Sequence, residues 1–359
     1  MSPPPEPVLT RPGPGHALRR RRSRRWVLAT LALPALGAGL LLVPGLPRRL
    51  LHWFVFRSRG WLPGSDQRAQ RAACERLLAA QPPRAPAATV VRVHAPEEPS
   101  RAALWAMTDR AVAALCGTPT AAEGWRSLAA PGEKVAIRCG GDVRPAIIEA
   151  VLHGLVAAGV SARDVTVVLS GRGGMAPAVD QVPPVSWQRG AWADEVFMVG
   201  RIPQRLDRAV VHCDRLINLA CLNTHVFCQF SGALKNHFGC VDQPWRMHTS
   251  FEHSAVLLNH LAPIRRRQVI TLLDAISPAL AGHPDFADPR FRWACHSLLA
   301  SRDPVAADAV GIGLLEEGFI AMSVPGDLGL ARGQLTLAAA LGLGRADQEG
   351  IELRNVEIG

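Results

Sequence analysis

The chain has 359 residues, enough for one large domain or two small ones, and its formal net charge is +10. Of its 40 basic and 30 acidic residues, residues 1–60 hold eleven Arg and one acid, Glu6, so the remainder holds 29 of each sign. This balance argues against a nucleic-acid-binding domain. The eight Cys form no CxxC pair and are too sparse for a disulfide scaffold.

Residues 1–60 are predicted to be a basic tail followed by a hydrophobic leader. Residues 1–18 are rich in Pro and Gly, and we expect them to be disordered. The segment Ser23-Arg24-Arg25-Trp26-Val27-Leu28 resembles the twin-arginine export motif. The uncharged run from Trp26 to Leu46 has 21 residues, about the 20 that a membrane-spanning helix needs.

Two interpretations of this leader stay open, a cleavable export signal and a membrane anchor. The Arg residues before the apolar run favour a cytoplasmic N-terminus. Residues 26–56 as a whole are predicted to contact the membrane. We therefore expect a bacterial protein that engages the twin-arginine export machinery and is anchored in the inner membrane or lies in the periplasm. The alternative is an Arg-rich cytoplasmic tail with a buried helix.

After the leader, the pattern predicts alternating helices and strands. Strand 134–138, helix 144–158 and strand 165–169 form the clearest unit, with Gly159 at the helix C-terminus. A right-handed crossover between parallel strands is the default for such a unit. Further elements are a helix at 67–80, a strand at 88–93, a helix at 99–116, and strands at 209–212, 216–222, 269–274 and 297–300. Asp303 and Pro304 are predicted to begin a helix that runs to about Glu317.

The predicted fold class is α/β, with a layered, mostly parallel, Rossmann-like sheet and flanking helices after the N-terminal hydrophobic leader. We divide the chain into the leader (1–60), an N-terminal extension (61–130), the α/β core (131–325) and a helical or irregular tail (326–359).

Scarce polar residue types gather in residues 212–253. This stretch holds four of the eight Cys, five of the twelve His, three of the five Asn and one of the two Lys. Asn223, Thr224 and His225 follow a predicted buried strand, and in open parallel sheets ligands bind beyond the carboxyl ends of strands. The sequence therefore predicts a functional site here.

The stretch from Ser231 to Gly239 is predicted to be a loop that runs into a short helix. Ser231 and Gly232 are placed to offer backbone N–H groups to an anion, with Lys235 and Asn236 one turn further along. The spacing lacks the Walker pattern. The alternative is a polar cluster at a helix start.

The histidines are candidate metal ligands. His225, His237 and His248 are predicted to bind a metal, with Cys213, Cys221, Cys228 or Cys240 as further ligands, because imidazole and thiolate suit zinc, iron or nickel. Buried cysteines and hydrogen-bonded histidines are the structural alternative. Asp274 is a candidate acid or base at a strand's carboxyl end. Asp303 is predicted to be a helix cap, whereas Asp308 faces either the site or solvent.

Several of these blocks resemble the family named domain of unknown function 362 (DUF362). The resemblance covers roughly residues 131–320 and is carried by Leu216–Leu219, Thr224-His225, Ser231–Gly239, His248, Asp274-Ala275 and Ala300–Asp308. The family commonly has Lys before the Thr-His pair, where this chain has Asn223. Some members carry iron–sulfur modules, and this chain lacks a CxxCxxC run. The resemblance leaves the cofactor open between a metal ion and an iron–sulfur or other redox partner.

A fainter likeness involves Gly141–Pro145, which is similar to the N-terminal part of nickel-pincer lactate racemases. The His expected after the next strand is missing, because the chain reads Ser170-Gly171-Arg172-Gly173-Gly174. The racemase metal ligands are therefore not transferred to this chain.

Together these observations predict an exported or membrane-anchored protein that binds an anionic cofactor or a metal, with redox or isomerase-type chemistry. Lys235, His225 and Asp274 are the candidate catalytic residues. The candidate ligand-binding residues are Asn223, Thr224, Ser231, Gly232, Asn236, His237, His248 and Asp308. The alternative is a non-catalytic, membrane-anchored protein that binds a small ligand or a partner.

Overall fold

An eight-stranded, mostly parallel β-sheet organises the chain, with helices packed on both of its faces. The computed structural model describes residues 67–170, 179–180, 182–225, 228–281 and 289–358. The predicted leader, including the twin-arginine-like segment and residues 26–56, lies outside the described residues. Among the helices that are described, none combines the length and the apolar character needed to cross a bilayer.

The strands and helices are numbered in chain order. The strands are β1 (Ala88–His94), β2 (Val135–Cys139), β3 (Val165–Leu169), β4 (Ser186–Arg189), β5 (Phe197–Val199), β6 (Ile202–Gln204), β7 (Arg215–Cys221), β8 (Asn223–His225), β9 (Gln229–Ser231), β10 (Gln268–Ala275), β11 (Ser297–Ser301) and β12 (Ile351–Glu357). The helices are α1 (Gln67–Ala79), α2 (Arg101–Cys116), α3 (Ala121–Leu128), α4 (Pro145–Ala157), α5 (Arg208–His212), α6 (Ala233–Asn236), α7 (Phe251–His260), α8 (Ala262–Arg265), α9 (Pro304–Ala321) and α10 (Gly329–Ala340).

The strand order in the large sheet is β12-β1-β11-β10-β7-β2-β3-β4. Strand β11 is antiparallel to both of its neighbours, and the other pairings are parallel. Every residue of β2 is buried, as expected for a strand covered on both faces. The α/β class and the mostly parallel sheet predicted from the sequence are confirmed.

Helix ends follow the predicted signals. Gly159 adopts a φ of 96° just after α4, a backbone conformation that favours glycine. The Asp303 carboxylate accepts the N–H groups of Val305 and Ala306, with Pro304 as the first residue of α9. Both predictions are confirmed.

The predicted strand at 209–212 is wrong, because Arg208–His212 forms the helix α5. Val210 and Val211 gave the segment its strand-like pattern, but the Asp207 side chain accepts the Ala209 N–H at 3.0 Å and caps a helical turn. The sequence analysis also missed α3 and the two small hairpins, β5–β6 and β8–β9.

The segments predicted as an N-terminal extension and a C-terminal tail both contribute strands to the one large sheet. Strand β1 comes from the extension, and β12 comes from residues 326–359 and pairs with β1 in parallel over seven residues, from Ala88↔Ile351 to His94↔Glu357. The tail also holds the helix α10.

The topology defines where the sheet reverses its winding. From β2 the chain moves outward through β3 to β4, and it later returns to β7, on the other side of β2, before adding β10. The carboxyl ends of β2 and β7 therefore form the topological switch point, where open α/β sheets usually bind ligands. The hairpin β8–β9 and the helix α6 follow directly from the end of β7.

Candidate functional site

Three potential metal ligands meet on the β8–β9 hairpin and the 3-10 helix that precedes α7. One ligand atom each from His225, Cys228 and His248 lie within 4.8 Å of one another. The two imidazole rings are 5.9 Å apart between centroids. Cys228 and His225 are buried, and His248 is partly exposed. The cluster is thus enclosed on one side and borders solvent on the other.

The ring of His248 is oriented by its neighbours. Its Nδ1 lies 2.9 Å from the carbonyl oxygen of Pro244, which accepts a proton only from an Nδ1–H group. This bond places the ring's lone pair on Nε2. Phe238 packs edge-on against the same ring, with centroids 5.4 Å apart. A backbone carbonyl that takes the second ring N–H is the usual support for a histidine that binds a metal.

His237 does not join this cluster. It is fully buried, and its Nδ1 lies 2.7 Å from Oδ1 of Asn259. The amide of Asn259 donates to the carbonyls of Leu234 and Ala255, so its oxygen accepts the Nδ1 proton. Burial lowers the pKa of His237 to about 4, against the raising effect of the Asn259 bond, and Arg138 lowers it further. His237 is therefore a neutral core residue that joins the 3-10 turn His237–Cys240, which follows α6, to α7.

The sequence predicts an anion at the N–H groups of Ser231 and Gly232, and in the structure an acid of the chain itself binds the next two N–H groups. The buried carboxylate of Asp308 accepts the N–H of Ala233 at 2.5 Å and that of Leu234 at 2.9 Å. A Cβ on Gly232 would lie 2.2 Å from Oδ1 of Asp308, so glycine permits this approach. Ser231, the residue before it, ends β9. Burial raises the pKa of Asp308 to about 7, and the two backbone bonds oppose that rise.

Asn236 lies at the topological switch point. Its amide nitrogen donates to the carbonyl oxygens of Arg138 and Leu219 and to Oδ1 of Asn218, at 2.8–3.1 Å. A Cβ on Gly140 would lie 3.3 Å from its Oδ1. Asn236 thus ties α6 to the ends of β2 and β7, and Lys235, which is partly buried, precedes it in the same helix.

Asn223 and Thr224 hold the hairpin against the chain beyond β10. The Asn223 Oδ1 accepts the N–H of Ala279 at 2.8 Å, and the Thr224 hydroxyl donates to the Ala279 carbonyl at 3.0 Å. These contacts connect the His225 end of β8 to the carboxyl edge of the sheet.

Asp274 lies on the other face of the sheet, in an ion pair with Arg144. Its carboxylate accepts the Arg144 backbone N–H at 3.0 Å, a guanidinium N–H at 3.3 Å and the Ile276 N–H at 3.1 Å. Burial raises the pKa of Asp274, while the charge of Arg144 lowers it. This pair joins the start of α4 to the end of β10.

A cleft of about 270 Å³ opens near Arg144, on the α4 face of the sheet. Its lining contains none of the predicted site residues; it consists of Arg101, Leu104, Arg144, Pro145, Ala146, Glu149 and Asp180. The buried Glu149 accepts bonds from Arg101 and from the Asp180 N–H, both at 2.9 Å. Arg101 pairs with Glu149 and Asp180 within the cleft, and Arg144 pairs with Asp274 and Glu98 outside it.

Sequence reasoning did not single out Cys228 from the other cysteines, although the spacing His225-x-x-Cys228 within a short hairpin was a usable signal. It also missed Arg138, which is 3 % exposed and donates to the Asn236 carbonyl and the Ser170 hydroxyl, both at 2.8 Å. A charged residue inside the apolar strand Val135–Cys139 was the signal for that network.

Comparison with known protein families gives one match: residues 141–313 fit the family described as "Domain of unknown function (DUF362)". The matched span contains β7, the hairpin, α6 and the start of α9, and so the whole His225–Cys228–His248 cluster. A search among curated proteins finds no match. The chain therefore contains a DUF362 domain at residues 141–313.

Proposed function

We propose that the DUF362 domain of this chain binds one transition-metal ion, with His225, Cys228 and His248 as its ligands. The observation that carries the proposal is the convergence of the three ligand atoms within 4.8 Å. Two imidazoles and a thiolate suit zinc, iron, cobalt, nickel or copper, whereas magnesium and calcium prefer oxygen ligands.

Cys228 is distinguished from the other cysteines by the two histidines beside it, since it is buried as most of them are. Burial raises the pKa of the Cys74, Cys213 and Cys295 thiols to about 11 and that of Cys139 and Cys240 to about 12. Such thiols stay protonated and inert near neutral pH. Within the part of the chain that the structure describes, Cys228 is the cysteine that two histidines accompany.

Three protein ligands are typical of catalytic metal sites, in which the remaining coordination position is taken by water or substrate. A metal held in this way supplies Lewis acidity or, if it is redox-active, an electron. His248 is partly exposed, so we expect an exogenous ligand to reach the site from this side. We therefore favour an enzyme or redox protein, and the second candidate is a metal-dependent protein that binds a small ligand without turnover.

Metal analysis of the purified full chain tests the metal proposal. We expect about one equivalent of a transition metal, lost in His225→Ala and Cys228→Ser and kept in Cys116→Ser, a matched change at a thiol on α2 away from the hairpin. A wild-type chain that is metal-free as purified and does not take up cobalt, zinc or nickel would contradict the proposal.

Exogenous ligands test the open coordination position. Azide added to the cobalt-loaded chain is expected to change the visible absorption spectrum, because it replaces a bound water. An unchanged spectrum at saturating azide indicates a closed, structural metal site and favours the second candidate.

We also propose that the domain is exported or anchored at the inner membrane through residues 1–60. The support is the Arg-Arg pair at Arg24-Arg25 before a long apolar run. Replacing both residues with Lys is expected to keep the chain in the cytoplasm, whereas the same change at Arg20 and Arg21 leaves export intact. Full-length wild-type chain found in the soluble cytoplasm would refute this localisation.

A further inference from the structure

Gln229 directly follows the proposed ligand Cys228 and has an unusual backbone. Its φ is 64°, in the left-handed region that favours glycine. A glycine would adopt this φ without strain, so the glutamine contributes through its side chain. We propose that Gln229 is a positioning residue that holds the Cys228 thiol for the metal, an inference that rests on the proposed function.

The Gln229 side chain is held at both of its polar atoms. Its Nε2 donates to Oδ2 of Asp327 at 2.8 Å, and its Oε1 accepts the N–H of Leu330 at 2.7 Å. The residue is 7 % exposed. Because both bonds go to the start of α10, they anchor the first residue of β9, next to Cys228, to a separate helix.

Asp327 fixes the orientation of this contact. Its Oδ1 accepts the Gly329 N–H at 2.9 Å, so the other oxygen faces the Gln229 amide. An asparagine at 327 would keep the bond to Gly329 but would turn an NH₂ group toward Nε2 of Gln229. Flipping the Gln229 amide would relieve that clash, but it would place the Gln229 NH₂ group against the Leu330 N–H, so that two donors would face each other.

The residues that anchor Gln229 come from outside the segment that matches the family. Asp327 and Leu330 lie beyond residue 313, where the match to the family ends. The C-terminal segment therefore holds a metal ligand of the DUF362 domain in place, and the ordering of that ligand before metal binding depends on α10.

Cobalt titration of the full-length chain tests the role of Gln229. Gln229→Gly fits the left-handed backbone at this position but loses both anchoring bonds. Asp327→Asn disrupts the same bonds and leaves residue 229 unchanged. We expect each variant to bind cobalt about 10–100-fold more weakly than wild type, as for other residues that orient metal ligands. The thiolate-to-cobalt charge-transfer band should also weaken or shift, which a loss of stability alone would not cause. Asp194→Asn, at an exposed position, is the control.

The outcomes separate the two proposals. If wild type binds cobalt and a folded Gln229→Gly or Asp327→Asn keeps its affinity and its charge-transfer band, the positioning role is overturned and the metal site stands. If Gln229→Gly fails to fold, Asp327→Asn decides. If wild type itself binds no metal, the proposed function fails first, and the inference about Gln229 falls with it.

Discussion

Asp308 shows how a buried acid can support the site without binding a ligand. Its two oxygens accept the N–H groups that begin α6, the helix that carries Lys235 and Asn236. The Asp308 side chain thus pairs with N–H groups that a bound anion would otherwise contact at this helix start. The sequence pattern of the loop indicated an anion and could not show that the anion belongs to the chain, because Asp308 lies about 75 residues away.

The raised pKa of Asp308 predicts a pH-dependent stability. Burial raises its pKa from 3.8 to about 7, so between these values the folded chain keeps a proton that the unfolded chain has lost. The free energy of unfolding should therefore fall as the pH rises through this interval, by up to about 1.4 kcal/mol per pH unit, and level off above it. Urea unfolding of wild type and Asp308→Asn from pH 4 to 8 measures this contribution as the difference between the two slopes.

Asp308→Asn should also destabilise the protein at pH 4, where the pH-dependent loss in wild type has barely begun. An amide offers one acceptor in place of two, so one N–H at the start of α6 stays unpaired, at a cost of about 1–3 kcal/mol. Equal pH slopes in the variant and wild type would show that Asp308 does not carry the effect. Asp164→Asn, in a short 3-10 helix away from the site, is the matched control.

A change at His237 should affect stability and leave the metal content unchanged, unlike a change at a proposed ligand. Because its Nδ1 proton binds Asn259 in the core, His237→Gln should lower the free energy of unfolding by about 1–3 kcal/mol. The same variant should keep wild-type metal content, whereas His225→Ala should lose the metal. Loss of metal from a folded His237→Gln would instead place His237 among the ligands.

Histidines 225, 237 and 248 have the same chemistry and were predicted together. Tertiary contacts distinguish them. Asn259, on α7, hydrogen-bonds His237, whereas the hairpin places His225 beside His248. Sequence reasoning could locate the region, because scarce residue types cluster there. It could not assign partners that come from elements far apart in the chain.

At the level of elements, the buried strands of the large sheet followed from their apolar runs, whereas its exposed edge strands β4 and β12 did not. The buried strand β7 and the capped start of α9 needed only local patterns to predict. Short elements were harder, because a single side-chain bond decides them, as the Asp207 cap does for α5. The hairpin β8–β9, which carries two of the proposed ligands, has three residues in each strand and no strong pattern of its own.

The Arg144–Asp274 pair predicts strong coupling between α4 and β10. The Asp274 side chain is 2 % exposed, so Arg144→Ala leaves a buried carboxylate without its cation. We expect this variant to lose about 3–5 kcal/mol in the free energy of unfolding. The double variant Arg144→Ala with Asp274→Ala should lose less than the sum of the single changes, and additive losses in urea unfolding would contradict the pairing.

At the scale of the whole molecule, one sheet contains strands from all three segments that were predicted as extension (61–130), core (131–325) and tail (326–359). Strand β12 covers the edge of β1, and the start of α10 anchors Gln229, the residue next to Cys228. Parallel pairing between residues about 260 apart leaves no trace in local periodicity, which is why the tail was predicted as helical or irregular.

This arrangement predicts that the C-terminus is needed for a stable sheet. A chain that ends at residue 347 loses β12 and exposes the edge of β1, so we expect a lower melting temperature and aggregation during purification. Leu353→Thr keeps the strand and should behave as wild type. A truncated chain that melts at the wild-type temperature would show that the edge strand contributes nothing to stability.

X-ray absorption spectroscopy of the metal-loaded full chain identifies the atoms bound to the metal and so tests the three proposed ligands. With zinc, we expect one sulfur at about 2.3 Å and imidazole nitrogens at about 2.0–2.1 Å, with the sulfur absent in Cys228→Ser. A wild-type spectrum with oxygen ligands alone, or with several sulfur ligands, would contradict a site built from His225, Cys228 and His248.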